Sequence, residues 1–103
     1  MQELSENEFD GAIAQGFTLV DFSAEWCGPC KALLPTINKL ATEYAGRMSV
    51  YEVDIDKTQS IALKCGVMSV PTLILFRQGK PVERIVGMVS ERDLRKKIDA
   101  SLS

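Results

Sequence analysis

A chain of 103 residues, 46% hydrophobic and 25% charged, has the length and balance of one soluble globular domain, predicted to span residues 1–103. Its 12 basic residues against 14 acidic ones leave a formal net charge of −2, which gives no long-range attraction to phosphate backbones or anionic lipid and argues against nucleic acid as a partner. The longest apolar runs, such as Leu73 to Phe76, fall far short of the roughly 20 residues that cross a bilayer, which argues against a membrane segment.

The first stretch, MQELSENEFDGAIAQGF, is acidic and polar, without the basic start and apolar core of a secretory signal, and favours a cytoplasmic location. Within it Ser5 and Glu8 form a capping box, with Leu4 and Phe9 placed as its hydrophobic staple. Gly16 closes a first helix that buries Phe9, Ala12 and Ile13. A very short strand near Glu3 would precede this helix. Phe17 to Ala24, FTLVDFSA, is a nearly continuous apolar and β-branched run of the kind found in a central strand covered on both faces.

From Cys27 onward Leu33, Leu34, Ile37, Leu40, Ala41 and Tyr44 recur at helical spacing until Gly46, predicting the longest helix. Pro35 lies inside it and costs the bond to the Lys31 carbonyl, which predicts a kink. Met48 to Ile55 reads as a second strand and Gln59 to Cys65 as a short helix ended by Gly66. Thr72–Phe76 and Val82–Val86 flank the turn Arg77-Gln78-Gly79-Lys80, a β-hairpin whose Pro81 fits only an edge strand. Ser90 caps a final helix, with Asp93 three residues on and Leu94, Ile98 and Leu102 on its buried stripe. Strands separated by helices imply parallel pairing through right-handed crossovers, whereas the hairpin adds antiparallel strands. The expected fold class is therefore α/β, a mixed central β-sheet of about four or five strands with helices on both faces.

Chemistry concentrates in EWCGPCK, residues Glu25 to Lys31. Three cysteines are an odd number and, in a reducing cytosol, read not as a disulfide framework but as metal or redox candidates, in a chain without histidine. A structural zinc site wants four ligands, whereas this chain offers one CxxC pair, a distant Cys65 and no histidine, so no metal is expected. A disulfide closing so short a loop constrains the unfolded chain very little, which argues against a purely structural staple. A strand ending near Ala24 and a helix starting near Cys27 place the first sulfur among unpaired backbone N–H groups, where a thiolate is favoured. Cys27 is therefore expected to be the exposed, attacking sulfur. Cys30, nearly one helical turn on, is expected to be the buried, resolving thiol. Gly28 permits close approach of a partner, and Pro29 fits the first helical turn. Asp21, within LVDF, is expected to be buried, and a buried carboxylate without a partner has a raised pKa that suits it as base for Cys30.

VDFSAEWCGPCK, together with VPT at Val70 to Thr72 and the glycines Gly79 and Gly87, closely resembles the thioredoxin family over essentially the whole chain. The resemblance implies the thioredoxin fold and a protein-disulfide reductase acting through the Cys27–Cys30 dithiol, with no further cofactor. In it Cys27 is the nucleophile, Cys30 resolves the mixed disulfide and Asp21 accepts the Cys30 proton. Partners implied are disulfide-containing proteins and a thioredoxin reductase that restores the dithiol, with the protein acting as a monomer. Pro71 matches the family's cis-proline, which offers backbone to an extended substrate segment. Trp26, Gly28, Pro29, Val70, Pro71, Gly87 and Met88 would form an apolar docking patch around the sulfurs. The alternative to catalysis is a non-enzymatic chaperone or complex subunit that uses the same patch.

Three positions depart from the family pattern. Ser23 stands where a second tryptophan is usual, implying looser packing beneath the active-site loop. Glu52 stands where a lysine is common; a like charge near Asp21 would raise its pKa and shift the deprotonation of Cys30, whereas period two along MSVYEVDID could equally leave Glu52 in solvent. Cys65 reads as a small hydrophobe at a helix end, with an oxidisable switch as the alternative.

Overall fold

The computed structural model describes residues 1–103. Its elements are β1 (Gln2–Glu3), α1 (Phe9–Ile13), β2 (Phe17–Ser23), α2 (Gly28–Glu43), β3 (Ser49–Asp54), α3 (Gln59–Lys64), β4 (Thr72–Arg77), β5 (Lys80–Val86) and α4 (Glu91–Leu102). All five strands join one sheet in the order β1-β3-β2-β4-β5. β1, β3 and β2 run parallel, and β4 and β5 pair antiparallel. This is the mixed sheet the element order implies, with β2 hydrogen-bonded on both sides.

Alternation along the strands sorts the core into two layers. Leu19, Leu73, Leu75 and Ile85 face α2 and α4, where they meet Leu33, Ile37, Leu40, Leu94 and Ile98. Val20, Phe22, Val53, Ile74 and Phe76 face α1 and α3, where they meet Phe9, Ile13 and Ile61. Two residues beyond Leu19 on the same strand, Asp21 therefore points toward the α2 face; Glu52, two beyond Val50 in β3, does likewise. Period two thus decides which layer receives the acidic residues.

The hairpin turns on Gln78 and Gly79, with φ of 50° and 84°. Positive φ at both central residues is the twist-matched geometry of a two-residue β-hairpin. Both strands extend further into the turn than the sequence suggests, and a register shift at Leu75/Phe76 lets Pro81 join the outer strand β5. At the other end, Ser90 Oγ accepts the Asp93 N–H at 3.1 Å, the cap expected for α4. α2 runs unbroken through Pro35, which lies on its exposed side.

The first helix departs from expectation. Ser5 N–H does donate to Glu8 Oε1 at 2.9 Å, but the Ser5 hydroxyl caps nothing and α1 begins only at Phe9. Glu8 N–H goes instead to the Ser5 carbonyl, so residues before Phe9 form a turn, and only half of the capping box is made. Anchored by Leu4 and Phe9, each 2% exposed, this segment is held by tertiary burial rather than by its own cap.

The layer between the sheet and helices α2 and α4 is the larger of the two core clusters, with 11 buried residues against 9. Ile37 is 0% exposed at its centre, and Ile37→Ala should lower unfolding free energy by about 2–5 kcal/mol through lost burial and a residual cavity. Leu63→Ala, at a side chain 83% exposed, should change it by less than about 0.5 kcal/mol. Urea unfolding followed by circular dichroism measures both.

Candidate active site

β2 delivers the chain to one end of the sheet, where Ala24 to Trp26 turn it into α2. Cys27 is the N-cap of that helix, with φ −89° and ψ 104°. Its Sγ accepts the Cys30 N–H at 3.2 Å, so the sulfur occupies the place that a serine or aspartate oxygen usually takes at a helix start. The backbone N–H and the helix dipole there favour negative charge. Pro29 lies in the first turn, where the N–H it lacks would have had no helical partner. Cys27 and Cys30 are joined as a disulfide, their Cα atoms 5.3 Å apart.

The expectation of an exposed attacking sulfur is corrected by this geometry. Cys27 is 4% exposed and Cys30 2%, and both pack with Ala24 against Ile55 and Val70. The exposed residues at the loop are Glu25, Trp26, Gly28 and Pro29, which stand around the buried pair. A capping side chain folds back onto its own helix, and the apolar wall finishes its burial.

Trp26 presents 70% of its surface to solvent, yet its indole Nε1–H donates to Asp56 Oδ2 at 2.8 Å. Asp56 was not legible as part of the site, because it is the last of the three acids in EVDID and only the fold brings it beneath Trp26. Met88 is 56% exposed and Val70 half-buried, so these members of the expected patch lie at the surface. Pro71 follows a cis peptide bond and is itself buried. Its carbonyl accepts the Gly87 N–H at 2.8 Å, so the backbone it was expected to offer is already engaged. The neighbouring Val70 N–H and C=O have no hydrogen-bond partner within the chain and replace Pro71 as the available groups. Gly87 makes that contact at a φ of 87°, a left-handed conformation that disfavours any side chain.

Asp21 is 0% exposed, and neither carboxylate oxygen has a hydrogen-bond partner. Burial, and secondarily the charge of Glu52 opposite it in the β2–β3 register, raises its pKa from 3.8 to about 7. Glu52 is half-buried and accepts the Ser23 hydroxyl at 3.1 Å, which answers the open question of its placement. A cavity of about 210 Å³ lies beside Cys30, with Ser23 and Glu52 in its wall. Cys65 is half-buried against the α1/α3 layer, and burial pushes its thiol pKa up, in keeping with a packing role.

The thioredoxin family model matches residues 1–100. A thioredoxin of Staphylococcus epidermidis is 41% identical over 100 residues, covering 97% of this chain and 96% of the relative. A thioredoxin of Staphylococcus aureus is 40% identical over the same shares of the two chains. Together with the helix-capping cysteine pair and the five-stranded mixed sheet, these likenesses show that the chain belongs to the thioredoxin family, with the thioredoxin fold and the activity of a thiol-disulfide oxidoreductase.

Proposed function

We propose that the protein reduces disulfides in other proteins and is returned to its dithiol form by a thioredoxin reductase. The observation that carries this reading is the placement of the Cys27–Cys30 pair at the start of α2, on the face of the sheet toward which the unpartnered Asp21 points. In the reduced protein, the Cys27 thiolate attacks one sulfur of a substrate disulfide, forming a mixed disulfide and releasing the other sulfur as a thiolate. Cys30 then gives its proton to the Asp21 carboxylate and attacks the Cys27 sulfur, which breaks the mixed disulfide and expels the second substrate thiolate. Two electrons pass from the cysteine pair to the substrate, and the Cys27–Cys30 disulfide is the product left on the protein.

Burial suits Asp21 to the proton transfer. A pKa of about 7 lets Asp21 hold a proton or release it near neutrality, in a chain with no histidine to do so. Gly28 and Pro29 hold the ring tight, and Trp26, Val70, Gly87 and Met88 surround it as the docking surface. The free N–H and C=O of Val70 are suited to pair with an extended substrate segment, with Pro71 buried behind them. We place the protein in a reducing, cytoplasmic setting, acting as a monomer.

Insulin reduction followed by turbidity tests the exchange. Cys27→Ser should abolish it, whereas Cys30→Ser should accumulate a mixed disulfide through Cys27 that mass spectrometry detects. Reduction by Cys27→Ser at the native rate would refute the assignment of the nucleophile.

Asp21 ties function to stability. Its folded pKa, about 7, lies above the ordinary value of 3.8, so between those limits the folded state binds more protons than the unfolded one, and stability falls as pH rises through the window. The destabilisation is complete above the folded pKa. Asp21→Asn should therefore stabilise the protein by a few kcal/mol at pH 8, at roughly 1.4 kcal/mol per pKa unit, and by little at pH 4. The same change should slow resolution of the mixed disulfide at pH 7 by about 100-fold. Urea titrations at the two pH values and stopped-flow tryptophan fluorescence measure the opposed effects.

A further inference from the structure

Glu52 occupies a place that the exchange reaction does not explain. It stands opposite Asp21 in the parallel β2–β3 register, and both side chains rise from the sheet on the α2 side. Ser23, two residues beyond Asp21 on β2, holds the Glu52 carboxylate through its hydroxyl at 3.1 Å. The same cavity wall contains Ser23, Glu52 and Cys30. A flexible acidic side chain with room to turn toward water is thus tied down beside a buried acid and the resolving cysteine.

The surrounding charges do not cancel it. Glu3 of β1 and Glu25 of the loop before α2 both face Lys57, at 3.4 and 3.8 Å. Asp54 of β3 accepts the Asp56 and Lys57 backbone N–H groups through Oδ1 at 2.9 and 3.4 Å. Lys31 of α2 is the one cation in the cavity wall, and it is exposed and makes no ion pair. On its other side Asp21 faces Leu73 of β4, which is uncharged. Glu52 is therefore the charged group set directly across from Asp21.

We propose that Glu52, anchored by Ser23, is a positioning residue of the exchange reaction: its carboxylate governs how readily Asp21 parts with its proton, and through Asp21 the pH at which Cys30 is deprotonated. The proposal rests on the reading of Asp21 as the base. Negative charge on Glu52 opposes negative charge on Asp21, because a like charge beside a buried carboxyl disfavours its ionised form. Ser23 keeps that repulsion in place by denying Glu52 an outward rotamer. The acid limb of the resolving step consequently lies higher in pH than Asp21 alone would set it.

The test separates this hold from the role of Asp21. Carbon-13 NMR of aspartate-labelled full-length protein follows the Asp21 carboxyl directly, whatever its part in catalysis. Glu52→Gln should move its titration midpoint down by about one pH unit. Ser23→Ala should move it in the same direction by less, and should add nothing in the double variant with Glu52→Gln. Glu52→Lys should move it further down and serves as the second probe if Glu52→Gln fails to fold. An unmoved midpoint in the Glu52 variants overturns the proposal, and an unmoved midpoint in Ser23→Ala overturns the anchor.

The acid limb of mixed-disulfide resolution, measured by stopped flow, should shift with the midpoint in Glu52→Gln and should show no Glu52 effect in an Asp21→Asn background. A Glu52 effect that persists there means Glu52 acts on the cysteines directly, which overturns the route through Asp21. A native acid limb in Asp21→Asn alone defeats the base assignment and that route with it, while the NMR midpoint still reports the hold of Glu52 on Asp21.

Discussion

Everything at this site depends on β2 having no side that faces water. It is hydrogen-bonded to β3 on one edge and β4 on the other, and helices cover both of its faces, so six of its seven residues are buried. Five residues of that strand meet this environment with side chains that suit it or find partners. Asp21 meets it with two carboxylate oxygens and no donor. A charge in that position is costly unless it is neutralised by a proton, which is why the group titrates near neutrality. The strand thereby converts a stability cost into a proton acceptor.

From that strand the rest of the site follows by short connections. Ala24, Glu25 and Trp26 are all that separate the end of β2 and the cap of α2, so the sulfur at the cap stays close to the end of the strand that carries Asp21. α2 then packs its own apolar stripe on the same sheet face through Leu33, Ile37 and Leu40, which fixes the direction of its first turn. The loop is steadied from the other side as well: Asp56 receives the Trp26 indole, and Lys57 faces Glu25. Surface pairs of this kind add little to global stability. Their importance is local, because they limit where an exposed tryptophan can go.

Most of the architecture was legible because each element carried its own local signal. The apolar run of β2, the helical spacing from Leu33 to Tyr44 and the Gln78-Gly79 turn each state their period or their φ requirement within a few residues. The misread features were those in which two segments compete for one group. The Ser5–Glu8 box closes only halfway, because a turn uses the Glu8 N–H. Cys27 is buried because Ile55 and Val70, distant in sequence, pack on it. Pro71 lends its carbonyl to Gly87, which leaves the free backbone at Val70.

The sequence by itself determined the element order, the dithiol at a helix start and the acid within a strand too apolar to be exposed, since these rest on interactions between near neighbours along the chain. Only the tertiary structure decided that Glu52 stands half-buried opposite Asp21, that Ser23 grips it and that Asp56 holds Trp26. Period two restricts a strand residue to one of two faces, but pairing with another strand decides what lies beside it, and register is set by contacts between segments some thirty residues apart.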